Sequence, residues 1–372
     1  MNTNINLKDK INLVLNHLIG LENQSFDDDV NPLEGFFARD FGIKPWDWPQ
    51  GVALYSMNYF QELKCEDIYD EFFNNWIVDN IESGLPSANI NTTAPYLMLI
   101  SLAPRTNNTE YLKMCEERAE FLMNELPKTQ EGGFQHTTSG SYDKNDVILN
   151  EEQLWADTFF MSILFLAKAG KVFKRTDWSE EAIYQILIHL KYLQDPRTGL
   201  LNHGWSFERM DNFGAIKWCR GNCWFTFGIL QILDELEGVI SESTKRFVLN
   251  AFIAQVKTIA SIVGENGLWH TVLLNADSYE ESSGSAGFIA GIFQGIRKGI
   301  LSKEYLPLAE TSLLALINNI KDNGEVANVS AGTAMGMDEL HYNNIITAPM
   351  PYGQSLTAIA LIEANAYYQS VL

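Results

Sequence analysis

Basic residues are scarce in this chain. Lysine and arginine number 26 against 47 acidic residues, leaving a net charge of −21 over 372 residues. Nucleic-acid binding needs basic patches that neutralise phosphates, so that class of partner is excluded. An acidic small substrate is not, because one Arg or His can invert the field inside a single cleft. Cysteine is equally sparse. Cys65, Cys115, Cys219 and Cys223 show no paired metal spacing; the nearest thing to a zinc pattern is Cys219 and Cys223 with His203 upstream, and reduced core thiols are expected instead. No apolar run reaches transmembrane length, and the opening residues lack a signal core, so a cytoplasmic protein without a membrane partner is expected. Period-two alternation never persists, which argues against a β architecture. No nucleotide-binding glycine pattern follows a strand, nothing resembles a cofactor box, and no Ser-His-Asp order stands out.

What the chain does have is apolar helical periodicity and aromatics: nine Trp, fourteen Tyr and twenty-one Phe in a chain that is 46% hydrophobic. A surplus of rings beyond core needs suits pockets for flat or ring-shaped ligands. Leu7 to Leu21, Val52 to Leu63 and Glu66 to Ile81 read as helices, separated by a loop rich in Asp and Pro and the stretch Phe36 to Gly51. The pattern then repeats around similar turns at Gly84, Gly132, Gly199, Gly267 and Gly324, spaced 48, 67, 68 and 57 residues apart. Each interval accommodates two helices and their loops. With the first pair this makes six helical hairpins, and stacked repeats bury one another's faces. An all-α (α/α)6 barrel is predicted, with residues 1–372 as one domain.

The stretch from Asn150 to Gly170 predicts an inner helix of that ring. Asn150 with Gln153 three residues on reads as its cap, Glu151 and Glu152 favour its positive end, and Lys168 with Gly170 supply the stop. Asp157 sits one turn inside. A buried carboxylate must be paired, neutralised by a raised pKa, or set in a wet cavity. His136, His203 and His270 all fall just after turn glycines. Equivalent turns share a rim in a closed ring, so a shared cleft at its mouth is expected.

Three further stretches could carry chemistry. In Gly214 to Gly228, Asn222 reads as an N-cap, which would place Arg220 and Trp218 on the loop before a helix. An Arg among aromatics there suits a carboxylate ligand; a guanidinium stacked on Trp as surface cover is the other reading. Gly267 to Gly287 is polar and glycine-rich before an apolar helix, and Ser330 to Gln354 is a long loop of small residues, a type that is often functional. One acid among histidines, an Arg and Trp residues suits carbohydrate chemistry.

With Leu154-Trp-Ala-Asp157-Thr-Phe-Phe-Met161, Gly199-Leu-Leu-Asn-His203-Gly-Trp205, Trp218-Cys-Arg220-Gly-Asn-Cys-Trp224, Gly267-Leu-Trp-His270 and Ser278 to Ser285, the chain resembles the unsaturated glucuronyl and rhamnogalacturonyl hydrolases of glycoside hydrolase families 88 and 105, the latter more closely. The likeness runs from about Trp46 to the C-terminus. It implies an (α/α)6 barrel without metal or organic cofactor. It also implies an oligosaccharide substrate ending in a 4,5-unsaturated uronic acid, whose vinyl ether is hydrated. Asp157 matches the family's catalytic acid/base; an apolar helix would supply the raised pKa suited to protonating carbon. His203, Trp218, Arg220 and Trp224 match substrate-pocket positions, with Trp155 and Met161 beside the acid and His136 and His270 on the same rim. Arg220 is the expected partner of the uronate carboxylate. Asn91 stands where the family commonly carries a second aspartate. Whether the chain is a monomer or a homodimer stays open. The competing readings are an inverting glycosidase, a sugar 2-epimerase using His203 with His270, and a non-catalytic sugar binder suggested by Asn91.

Overall fold

The computed structural model describes residues 6–23, 40–64, 66–140 and 143–371, so Cys65 and the segment 24–39 lie outside the described residues. In chain order the helices are α1 (Leu7–Ile19), α2 (Trp48–Lys64), α3 (Asp70–Glu82), α4 (Ile90–Thr93), α5 (Tyr96–Arg105), α6 (Thr109–Asn124), α7 (Leu164–Phe173), α8 (Thr176–Leu193), α9 (Cys219–Glu235), α10 (Glu242–Ser261), α11 (Ser282–Arg297), α12 (Leu306–Asn318), α13 (Glu339–Asn343) and α14 (Pro351–Ser370). The longer ones alternate between two kinds. α10 buries six of its 20 residues, a single stripe, whereas α9 buries fourteen of 17. A helix apolar on most of its circumference has to be surrounded, and one with a stripe covers it from outside.

That division builds the ring. α2, α5, α7, α9, α11 and α14 pack each against the next, and α14 returns to α2 to close the circle. The amphipathic partners lie outside: α1 covers α14, α6 covers α5, α8 covers α7, α10 covers α9 and α12 covers α11. The six-hairpin toroid read from the turn spacing is therefore the observed architecture.

Each turn glycine opens the segment that carries the chain from an outer to an inner helix. All five adopt positive φ, from +73° at Gly199 to +92° at Gly267 and Gly324. Gly199 is constrained twice, since a Cβ there would also lie 2.6 Å from the backbone of Ala254. The return segments hold short antiparallel ladders: β1 (Thr137–Ser139) with β2 (Val147–Leu149), β3 (Gln153–Trp155) with β4 (Gly204–Ser206), and β5 (Trp269–His270) with β6 (Glu280–Glu281).

The helix read from Asn150 begins later than expected. Asn150 donates from Nδ2 to the carbonyl of His136 at 3.2 Å instead of capping, and Gln153 to Trp155 pair with β4, Trp155 opposite Gly204. The helical backbone starts after Asp157 with a turn of π-helix, Phe159–Ile163, and runs past Gly170 to Phe173, where Lys174 takes the left-handed conformation at φ 56°. Asn222 is likewise no cap. It lies inside α9, and its carboxamide both accepts from Leu201 N–H at 2.7 Å and donates to Leu201 C=O at 2.9 Å.

Candidate active site

Asp157 stands at the mouth of the ring, where β3 ends and the α7 segment begins. Met161 N–H donates to its backbone carbonyl at 3.0 Å, so its side chain projects from the start of an inner helix. π-turns inserted at helix ends are often found at functional sites. The side chain is 18% exposed, opening on a narrow cavity lined by Trp48, Asn91, His136, Thr138, Trp155, Asp157, Trp218, Arg220, Gly332 and Thr333. The free volume is about 20 Å³, room for a water and far below that of an ordinary ligand pocket.

Each wall has its own support. Trp155 lies flat on His136, ring centroids 4.2 Å apart and 7° from parallel, and the Trp155 indole N–H donates to Gln153 Oε1 at 2.9 Å. His136 Nδ1 is 3.3 Å from the Thr158 hydroxyl. Trp48 stacks on Tyr352 at 4.6 Å. Asn91 sits in α4, whose start is closed by a reciprocal capping box between Asn89 and Thr92.

The acid's nearest ionisable neighbour is His203, whose Nε2 lies 3.3 Å from Asp157 Oδ2. The contact is close enough for charge but poorly aligned for a hydrogen bond, and both atoms are buried without another hydrogen-bond partner among the described residues. Burial pulls the Asp157 carboxyl upward and is the strongest single influence. His203 first, then His136 and Arg220, outweigh it, so the carboxyl lies below its usual range. The raised pKa expected from an apolar helix is thus overturned by the cations and donors the fold brings in. Burial also lowers the His203 pKa, against the pull of Asp157, so the imidazole is neutral at pH 7.

Arg220 departs from expectation in position and partners. It lies within the first turn of α9, fully buried, sandwiched between the rings of Trp218 and Tyr352 at 4.6 and 4.5 Å. Nη1 donates to the carbonyl of Ser330 at 3.0 Å, to the Ser283 hydroxyl at 3.3 Å and to the Ser330 hydroxyl. Nη2 donates to Ala331 C=O at 2.9 Å and to Thr333 Oγ1 at 2.8 Å. The fork that was to clasp a carboxylate therefore clasps the 330–333 loop, and the cation is 3.9 Å from the buried Glu281. Glu281 in turn caps α11 through Ser283 and Gly284 N–H and accepts from Ser330 N–H at 3.0 Å.

Of the residues read from sequence, Asn91, His136, Trp155, Asp157, His203, Trp218 and Arg220 come together. Met161, Trp224 and His270 do not line the cavity. Met161 is buried in the ring, and Trp224 packs between Trp48 and Phe160. His270, paired with Glu280 across β5 and β6, lines separate grooves with Asn266 and Glu280. Trp48, Thr138, Gly332 and Thr333 were not singled out. Trp48 had a signal, a Trp-Asp-Trp-Pro run opening an inner helix; the small loop residues had none beyond their place in a long loop.

A toroid of helical hairpins whose mouth gathers one carboxylate, histidines and indoles defines a carbohydrate-active enzyme of the (α/α)6-barrel class. The particular family follows from comparison: residues 37–368 match Glycosyl Hydrolase Family 88, and the chain belongs to that family. It is 31% identical over 309 residues to the unsaturated rhamnogalacturonyl hydrolase YesR of Bacillus subtilis, covering 83% of this chain and 85% of that protein. A crystal structure from Salmonella enterica serovar Paratyphi A, described as a possible member of the GH105 family, superposes with a TM-score of 0.90 at 34% identity over 99% of this chain and 96% of that one. The unsaturated glucuronyl hydrolase of Bacillus sp. GL1 shares the fold, with a TM-score of 0.70 at 14% identity over 96% of this chain and 97% of that one. Among the described residues no helix is long and apolar enough to cross a membrane.

Proposed function

We propose that this enzyme hydrates the vinyl ether of a terminal 4,5-unsaturated uronic acid on oligosaccharides left by a polysaccharide lyase, of the pectic, rhamnogalacturonan type. The observation that carries the reading is a cluster of buried polar atoms without well-formed hydrogen bonds among the described residues: Thr138 Oγ1, Trp218 Nε1 and Arg220 Nε have no partner, and Asp157 Oδ2 and His203 Nε2 have only their misaligned contact with each other. Each such atom costs about 1–3 kcal/mol when left unpaired, and their concentration around one carboxylate suits a polar ligand that pairs them.

Asp157 then donates a proton to C4 while water adds at C5, and the carboxylate formed takes the proton of that water. The resulting hemiketal opens and the remaining saccharide leaves. A carboxyl with a low pKa is a strong acid but is ionised near neutrality. The substrate's own carboxylate, brought beside it in a water-poor cavity, raises its pKa toward the working range. With Arg220 engaged by its loop, its part is to hold Thr333 and to supply positive potential behind the uronate. The cavity of about 20 Å³ does not admit a sugar ring as it stands, so its walls must open for one to enter.

An inverting glycosidase would need a second carboxylate roughly 6.5–9.5 Å from the first. Asp157 is the one carboxylate among the cavity-lining residues described, and the nearby Glu281 is committed to Arg220 and α11. An epimerase built on His203 and His270 is disfavoured by their separate surroundings.

The test is loss of the ultraviolet absorbance of unsaturated uronyl disaccharides on incubation with the enzyme. Asp157→Asn is expected to slow that loss by about 10²–10⁴-fold. A full rate in that variant, or no decay across a panel of unsaturated disaccharides, sinks the reading.

A further inference from the structure

The contact between His203 and Asp157 depends on where the imidazole keeps its proton. A neutral ring carries it on one nitrogen, and the partner of the other nitrogen decides which. His203 cannot swing to change partners: Trp218 packs on it at 4.4 Å and the edge of Trp155 at 5.3 Å. Nε2 faces Asp157 at 3.3 Å and Nδ1 lies 2.7 Å from the phenol oxygen of Tyr342.

Tyr342 comes from α13, inside the long loop between Ser330 and Met350, and is fully buried. Burial raises its pKa, so the phenol keeps its hydrogen. One lone pair of that oxygen is taken by Gly336 N–H at 3.1 Å. The hydrogen has two acceptors within reach, His203 Nδ1 at 2.7 Å and the thioether of Met335 at 3.8 Å. A thioether is a weak acceptor and the nitrogen is a full ångström nearer, so Nδ1 is the better acceptor for the O–H.

We propose that Tyr342 is a positioning residue for the hydration reaction: by donating to Nδ1 it holds His203 in the tautomer whose Nε2–H faces Asp157. The other tautomer would set the Nε2 lone pair against the carboxylate. The assignment rests on the functional reading above for its catalytic consequence and on the contacts of Nδ1 and Nε2 for the tautomer. It gives the loop a second task besides lining the cavity, since Gly332 and Thr333 touch the site directly while Tyr342 acts through His203.

The experiment uses the full chain with ¹⁵N-labelled histidine. Ring-nitrogen NMR of the wild type is expected to show His203 protonated at Nε2 and bare at Nδ1. Tyr342→Phe keeps the ring and removes the donor. It is expected to lose that preference and to lower kcat roughly tenfold, the scale of one lost hydrogen bond, with KM little changed. An Nδ1–H tautomer in the wild type, or a Tyr342→Phe enzyme with unchanged tautomer and kcat, overturns the proposal. If the wild type turns over no unsaturated uronide, the functional reading fails by itself, and the NMR comparison still decides whether Tyr342 sets the ring.

Discussion

Arg220 and Glu281 face each other at 3.9 Å with essentially no exposure on either side, joining the first turn of α9 to the cap of α11. Ser330 ties into both, through its N–H to Glu281 and its carbonyl to Arg220. Removing the cation strands a buried carboxylate. Arg220→Met is therefore expected to lower stability by about 3–5 kcal/mol. In urea unfolding, Arg220→Met/Glu281→Gln should lose less than the sum of the two single changes; simple additivity would show that the pair is uncoupled.

Asn91 lines the same cavity as Asp157. Asn91→Asp would add a second carboxylate, and like charges in one water-poor site favour the protonated form. The Asp157 pKa then rises, and the alkaline limb of the kcat/KM profile is expected to move up by about one pH unit or more. A profile superposable on the wild type's would mean that the two groups do not sense each other.

His189 ties the stability of the fold to pH on the acid side. It is fully buried on α8, with Nδ1 2.8 Å from the Gln185 carbonyl, and burial lowers its pKa to about 4 despite that carbonyl's opposing pull. The unfolded chain, with a histidine pKa of about 6.5, binds the proton first as pH falls. Stability is thus complete above about pH 6.5 and is lost progressively toward pH 4, by on the order of 3 kcal/mol from this group. Burial of His203, whose pKa it also lowers, acts in the same sense. His189→Leu should flatten the decline in melting temperature between those limits; an unchanged slope would exonerate His189.

Two glycines in neighbouring inner helices should respond oppositely to alanine. A Cβ on Gly284 meets the Cys219 sulfur and lies 2.8 Å from Arg220 N, so Gly284→Ala forces α9 and α11 apart. A cost of about 1–3 kcal/mol is expected. At Gly228 the nearest atom is Phe160 Cδ2 at 3.8 Å, an ordinary contact. Gly228→Ala should be neutral or stabilising by up to about 1 kcal/mol through helix propensity. Thermal melts of the two variants check both signs.

Local signals were trustworthy where the chain interacts with its own neighbours in sequence. Leu7 to Leu21 read as a helix and forms one from Leu7 to Ile19, because the apolar stripe is local information. Asn150 misled because its carboxamide has a better partner, the His136 carbonyl fourteen residues back, and because Trp155 pairs with Gly204. Asn222 misled for the same reason, its carboxamide being held by Leu201. Cap patterns describe what a side chain can do for the next turn, and a distant backbone group can outcompete that turn.

The sequence by itself determined the ring. Helices apolar on most of their surface alternate with striped ones, and glycines fall at each return, the pattern of stacked helical hairpins whose closure into a ring the α14–α2 packing completes. It also put His136 and His203 on one rim, and the family resemblance added Asp157, Trp155 and Trp218 beside them. Tertiary structure decided the rest: that Arg220 clasps its own loop, that His270 lines separate grooves, and that the Asp157 carboxyl falls below its usual pKa. Those outcomes depend on gaps of 3 to 4 Å in a medium of low polarity, where electrostatic and hydrogen-bond energies change steeply with distance. Periodicity along a chain carries no information at that scale.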